Sequence, residues 1–376
     1  MDGPLPGLTD AELAAFIEGD EAFGRRFAPS DGLGPIFNNV ACAACHSGDG
    51  RGRPENALTR FSLGDDLVPH LGGPQLQDRA IPGAVPERLP DGVQTSVRLP
   101  PPVFGVGLIE AIPQSTILAL ADPDDADDDG ISGRPNFVVP EDFVPTDEVG
   151  GFVPIDSGGA RPQLGRFGRK AQVSSLLLQV AKAYHEDIGI TNDFLPIENR
   201  NPLASQATEA ADRVPDPELA EGELRAVLAY LRTLAPPAPG RLTERRAEGQ
   251  TIFHAIGCAR CHVPELRTGP STIAALAHQP VHLYSDLLLH DMGPELADGR
   301  PDGDADGREW RTAPLWGLRV MRDFLNGDAF LMHDGRARSV EDAILLHGGE
   351  AEAVRNAFVA LDAAERAALL DFVESR

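Results

Sequence analysis

Cys258-Ala259-Arg260-Cys261-His262 is the stretch whose reading decides the fold. A C-x-x-C-H run offers two thiols spaced to form thioether bonds with the vinyl groups of a haem, followed by a histidine placed to ligate the iron from below. The same signature stands earlier as Cys42-Ala43-Ala44-Cys45-His46, so all four cysteines of the 376 residues fall into two like patterns. None is left over for a disulfide. Two zinc knuckles more than two hundred residues apart would not require a histidine after each pair. A thioredoxin-like redox pair would account for one motif but hardly for both. The expectation is two covalently bound haem c groups, held by Cys42, Cys45 and His46 in the first half and by Cys258, Cys261 and His262 in the second.

The chain is long enough for two domains with sizeable cores, and two haem motifs favour two. Hydrophobic and charged contents of 42% and 24% are those of a soluble globular protein. No apolar run approaches the roughly 18 residues of a membrane span. A net charge of -25 repels nucleic acid and anionic membrane surfaces. It suits a basic or neutral redox protein as electron donor or acceptor, and a small uncharged oxidant or substrate; it also serves solubility alone. Haem attachment to C-x-x-C-H takes place outside the cytoplasm, whereas Met1-Asp2-Gly3-Pro4 opens no charged-then-apolar leader. A periplasmic or otherwise exported protein whose signal has been trimmed is expected.

Thr9-Asp10-Ala11-Glu12-Leu13 reads as a helix start, capped by Thr9 or Asp10, with Leu13, Phe16 and Ile17 on one apolar face. Gly34-Pro35-Ile36-Phe37 before the first motif and Gly249 to Gly257 before the second share a glycine, an Ile-Phe pair and a small residue ahead of the cysteine. Glu223 to Arg232 and Glu365 to Val373 both carry apolar residues at spacings of three and four, so each haem unit closes with an amphipathic helix. Ala235-Pro236-Pro237-Ala238-Pro239-Gly240 cannot continue a helix or a central strand. The expected domains are therefore 1–235 and 241–376. The fold class is mainly α: two cytochrome c-like haem domains, the first with long irregular insertions.

Within that first half, prolines and glycines from Pro74 to Pro102 predict extended segments and turns, and Ser174 to Ala183 predicts a helix. Asp125-Ala126-Asp127-Asp128-Asp129-Gly130 fits the first half of a calcium loop, with Asp125, Asp127 and Asp129 as candidate ligands. Asn136 stands where the closing glutamate belongs, so a solvated acidic turn is the alternative, as it is for Asp302 to Gly307. Tyr184-His185-Glu186-Asp187 crowds ionisable groups at a helix end; beside a haem these are groups able to move a proton between peroxide oxygens. The second axial position of the C-terminal haem has His278, His282, His290, Met292, Met321, Met332, His333 and His347 as candidates, and pattern alone does not choose.

The order of C-x-x-C-H, Arg98-Leu99-Pro100-Pro101-Pro102-Val103-Phe104, Gly168-Arg169, a helix bearing Gln179, a second C-x-x-C-H and His333-Asp334-Gly335 resembles the di-haem cytochrome c peroxidase superfamily over most of the chain. Leu288 to Gly293, Trp310 to Trp316 and His347-Gly348-Gly349-Glu350 look most like its di-haem (thiol) oxidoreductase branch. The resemblance implies an electron-accepting C-terminal haem and an N-terminal haem that meets peroxide or substrate; a di-haem electron-transfer cytochrome without a substrate pocket is the competing reading. It places His347, fourteen residues beyond His333, where the peroxidases carry a methionine ligand, so this haem would be bis-histidine and of lower potential. By order along the chain, it places His70 at the displaceable histidine of the first haem. It also gives Asp187, Glu186 and Gln179 distal-pocket roles, with Glu110 as a further buried carboxylate. The superfamily's bridging tryptophan is missing near Phe167-Gly168; Trp310 is expected in the interhaem region and Trp316 in the core. No residue supports thiol oxidation, because no free cysteine remains.

Overall fold

A computed structural model describes residues 3–139, 141, 143, 162–204 and 212–376. Helices dominate, and the strands occur as short, separate antiparallel pairs.

Helix α1, Asp10–Gly24, starts on a capping box: Glu12 N–H donates to Thr9 Oγ1 (3.3 Å) and Thr9 N–H donates to Glu12 Oε2 (2.7 Å). Its buried stripe is Phe16, Gly19 and Phe23. The expected apolar face is thus rotated, since Leu13 and Ile17 are 40% and 54% exposed. The next helices are α2, Cys42–Cys45; α3, Val106–Glu110; α4, Gln114–Leu118; and α5, Leu176–Lys182, capped by Ser175 Oγ. Helix α5 runs into a π-helical turn, Ala183–Ile188, an expansion that recurs at functional sites. Helix α6, Glu221–Thr233, closes the first half. The second half is built from α7, Glu244–Ala255; α8, Leu318–Phe324; α9, Val340–Leu345; α10, Glu352–Ala360; and α11, Ala363–Glu374.

Two helix crossings repeat one design. Helix α1 packs across α6 with Gly19 against the Ala226 carbonyl and the Tyr230 Cβ, and α7 packs across α11 with Gly249 against the Ala368 carbonyl and the Phe372 Cβ. Four residues after each glycine comes a phenylalanine: Phe23 lies 5.5 Å from the Tyr230 ring and 6.2 Å from His46, while Phe253 lies 5.5 Å from Phe372 and 6.5 Å from His262. The absent side chain lets the backbones close up, and the aromatic one turn later walls the motif histidine. The Ile-Phe echo is therefore not the structural repeat. Ile252 and Phe253 are helical, whereas Ile36–Phe37 is a strand paired with Arg79–Ala80, because Gly34 and Pro35 end any helix before it.

The halves interlock beyond the proline linker. The larger core, around α1, α5 and α6, takes in Leu266, Leu283, Leu288 and Trp316; the smaller, around α7, α8 and α11, takes in Leu99. Between them runs a buried charge network in which Arg98 pairs with Asp302 (2.6 Å), Arg300 with Asp302 (2.6 Å) and Lys170 with Asp298 (2.8 Å). In the second acidic run Asp302 is thus held by arginines, while Asp304 and Asp306 accept from backbone N–H groups.

Gly19→Ala and Gly249→Ala are each expected to lower unfolding free energy by roughly 1–3 kcal/mol, the usual penalty for overpacking a closed contact. Gly222→Ala, whose Cβ would meet open space, serves as the control. Urea denaturation followed by circular dichroism measures all three; equal midpoints would contradict the close crossings.

Candidate functional site

Two cavities lie one in each half. The C-terminal cavity, about 220 Å³, is lined by Cys258, Cys261 and His262. The N-terminal one, about 180 Å³, is lined by Cys42, Cys45 and His46. Burial pushes the Cys42 and Cys258 thiols up to about 12 and Cys45 up to about 11. Thiolates are the reactive form in disulfide exchange, so these environments suit sulfur held in covalent linkage better than a redox pair.

The histidines fit metal ligation by the way their second nitrogen is tied. His46 Nδ1 donates to the Pro101 carbonyl (2.8 Å), His262 Nδ1 to Tyr284 (2.9 Å) and His347 Nδ1 to Ala343 (2.7 Å). A carbonyl only accepts, so each ring carries its proton on Nδ1 and keeps the Nε2 lone pair free, as metal-bound imidazoles require. Burial drives His46 and His262 down to about 4 and lowers His347, keeping all three neutral. The His262 and His347 ring centroids are 6.4 Å apart. With metal–nitrogen bonds of about 2.0–2.1 Å and roughly 1.2 Å from nitrogen to centroid, two imidazoles on one metal atom need about that spacing.

The other candidates separate cleanly. His278 and His282 are exposed, and Met321 belongs to the core. His290 lines the cavity, but Nδ1 is bound to Glu350 (2.7 Å) and Nε2 to Asp286 (2.8 Å), leaving no lone pair for a metal. Burial alone would discharge this ring; the two carboxylates instead hold its pKa well above the ordinary value. His333 stacks on Trp310 at 3.7 Å and 7°. Met292 and Met332 line the same cavity.

The N-terminal cavity is different. Among the described residues that line it, His46 is the sole histidine and no methionine joins it. From α5 and the π-helical turn, the polar groups that line it are Gln179, Tyr184 and Asp187. Burial pushes Asp187 up to about 7, against the hydrogen bond it accepts from Gln75 Nε2 (2.6 Å). The Tyr184 hydroxyl is buried without a hydrogen-bond partner. Glu186 turns aside toward Arg60, 3.7 Å away, and does not line the cavity. Glu110 does not line it either: its carboxylate pairs with Arg232 (2.7 Å) and accepts from Leu176 N–H (2.9 Å), anchoring the start of α5. His70 is exposed. Trp316 lines the N-terminal cavity as well as joining the core, and Trp310 lines the C-terminal one.

Sequence reading missed Tyr184 as a cavity group, the carboxylate grip on His290, and Arg51, Arg169 and Arg311, which line both cavities. In the acidic loop, ligand atoms of Asp122, Asp125 and Asp127 lie within 4.8 Å of one another, while Asp129 reaches out to Arg260 (3.2 Å). Asp122 thus takes the place expected of Asp129.

Among solved structures the chain is similar to hydrazine synthase of Kuenenia stuttgartiensis (15% identity, TM-score 0.39, covering 100% of this chain and 95% of that one). It is also similar to a MauG-like protein associated with microbial copper homeostasis (18% identity, TM-score 0.31, 55% of this chain and 67% of that one). No curated protein matches. No helix among the described residues is long and apolar enough to cross a membrane. Residues 1–66 and 83–376 match the family model described as "Di-haem oxidoreductase, putative peroxidase", and the chain belongs to that di-haem oxidoreductase family.

Proposed function

We propose that this di-haem oxidoreductase is an exported, periplasmic enzyme of peroxidase type, with haem c attached through Cys42 and Cys45 in a unit spanning 1–235 and through Cys258 and Cys261 in a unit spanning 241–376. The C-terminal unit exchanges electrons with a small redox protein, and the N-terminal unit meets peroxide or another small substrate. One observation carries the reading: the C-terminal cavity is lined by His262 and His347, 6.4 Å apart and each tied back through Nδ1, whereas His46 is the sole histidine among the described residues lining the N-terminal cavity. Haem iron would supply the redox chemistry, held by His46 in the first unit and by His262 and His347 in the second.

The chain's own work in the N-terminal cavity is proton handling. Asp187, poised near neutrality in a buried wall, suits a group that takes a proton from one peroxide oxygen and returns it to the other. Gln179 lines the same space and offers an amide to orient the substrate. Electronic spectra and cyanide titration separate this from an electron carrier. One high-spin ferric haem binding one equivalent of cyanide is expected; two low-spin haems indifferent to cyanide and peroxide would end the enzyme reading.

Because the base form of Asp187 is needed first, kcat/KM for peroxide is expected to rise with pH through about 7. Asp187→Asn should flatten that profile and lower the rate by roughly 10²–10⁴-fold. A variant that keeps the wild-type pH profile would remove Asp187 from the chemistry.

His347→Met is expected to raise the reduction potential of the C-terminal haem, since methionine ligation favours the ferrous state. His347→Ala should add a second high-spin signal. Unchanged spectra in both variants would show that His347 is not a ligand.

Calcium belongs to the same proposal. The loop offers Asp122, Asp125 and Asp127 as oxygen ligands. Calorimetric titration with calcium should give a binding isotherm that Asp125→Asn abolishes; no heat with the wild-type protein would leave the loop an acidic turn.

A further inference from the structure

The wall shared by the two cavities is built from Arg51, Arg169, Arg311, Ala313 and Pro314. We infer that Arg51, Arg169 and Arg311 form a single cationic clasp that binds the propionate carboxylates of both haems from between them. The inference rests on the di-haem reading and goes beyond it, because it assigns residues and a ligand group to the space between the sites.

The three side chains are held in place only by backbone carbonyls. Arg51 donates to Met332 O (2.6 Å), Arg169 donates through Nε and an Nη to Leu99 O (3.1 and 2.9 Å), and Arg311 donates to Gly168 O (3.1 Å) and Thr312 O (3.3 Å). A guanidinium has five N–H donors, so each keeps donors in hand; Arg51 Nε is buried with no partner at all. Among the described residues none of the three forms an ion pair. The adjoining cations are treated differently, because Arg98, Arg300 and Lys170 share Asp298 and Asp302.

Three unmatched buried cations cannot stand in a protein interior at no cost. Burial drives Arg51 and Arg311 down to about 10 and Arg169 well below its ordinary value, with Arg51, Arg311 and Arg98 adding repulsion on Arg169; the more distant carboxylates of Asp334 and Asp286 offset this only in part at Arg169 and Arg311. What relieves this is an anion, and the planar fork of arginine matches a carboxylate pairwise. The cysteines of each motif line only their own cavity. A haem held there through its vinyl groups would carry its two carboxylates on the edge away from the cysteines, and Arg51, Arg169 and Arg311 are the cavity-lining cations that would hold them. Arg51 and Arg169 come from the first half and Arg311 from the second, so neither half completes the clasp alone.

The charge of each arginine would then act on both haems. Removing it favours the more positive, oxidised state on both sides, so both midpoint potentials fall. Spectroelectrochemical titration of the purified holoprotein tests this with Arg51→Gln and Arg169→Gln, each expected to shift both one-electron equilibria about tenfold, or about 59 mV. Arg51→Lys, which keeps the charge and loses the fork, should restore most of the shift and guards against a variant that does not fold. A change confined to one haem, or to neither, overturns the clasp. Wild-type potentials that move with phosphate concentration at constant ionic strength also overturn it, because the arginines would then hold an exchangeable anion. The haem count, taken from the pyridine haemochrome and the intact mass, is independent of these outcomes. Two haems with unmoved potentials defeat the clasp alone, whereas a colourless protein of bare polypeptide mass defeats the di-haem reading and the clasp with it.

Discussion

Everything in this molecule depends on a buried imidazole being held by a backbone carbonyl. Pro101, Tyr284 and Ala343 each accept the Nδ1–H of a histidine that burial keeps uncharged. An uncharged ring in an apolar wall is inexpensive to bury, and a fixed tautomer leaves one lone pair aimed in one direction. The helix crossings serve this arrangement. Phe23 and Phe253 stand against the motif histidines because Gly19 and Gly249 let α1 and α7 lie directly on α6 and α11.

Where the two cavities differ, the difference comes from neighbouring elements rather than from the motifs. In the second half, α9 ends at Leu345 and delivers His347 across from His262. In the first, the corresponding space is walled by α5 and its π-helical turn, and the side chains sent inward are Gln179, Tyr184 and Asp187. The extra residue per turn in a π-helical segment shifts which side chains face inward, so Asp187 lines the cavity while Glu186 turns to Arg60. Adjacent carboxylates, indistinguishable in the sequence, thereby acquire opposite surroundings.

That contrast shows what was legible beforehand. Cysteine spacing needs no three-dimensional information, because attachment chemistry is local, and the capping box at Thr9 and the proline linker are local in the same sense. The placement of His347 near His262 was reachable through its offset from His333. What lay beyond reach was non-local. Ile36-Phe37 mimics Ile252-Phe253 in letters, yet one pair is strand and the other helix; the true counterpart of Gly249 and Phe253 is Gly19 and Phe23, far from the first motif in sequence. Glu110 looked like a cavity carboxylate until Arg232 claimed it across 122 residues. His290 and the acidic loop mislead for a related reason. Asp286 and Glu350 take both ring nitrogens of His290, and Arg260 draws Asp129 out of the loop, neighbours that no spacing rule announces.

The shared arginine wall and the axial histidine act on electron transfer in separable ways. Replacing methionine by imidazole at one iron lowers the potential of that iron alone. Guanidiniums lodged between the two sites raise both, since a fixed positive charge in a medium of low dielectric favours whichever oxidation state is less positive, and the interaction declines only as the inverse of distance. On the proposed ligation and clasp, the difference in potential between the haems would be governed by what stands opposite His46 and His262, and the common level by Arg51, Arg169 and Arg311. A fold that keeps these controls on different elements can retune the driving force between its two centres without disturbing the level at which electrons enter. The neighbouring network sets two carboxylates, Asp298 and Asp302, against Arg98, Arg300 and Lys170, whereas Arg51, Arg169 and Arg311 form no ion pair among the described residues.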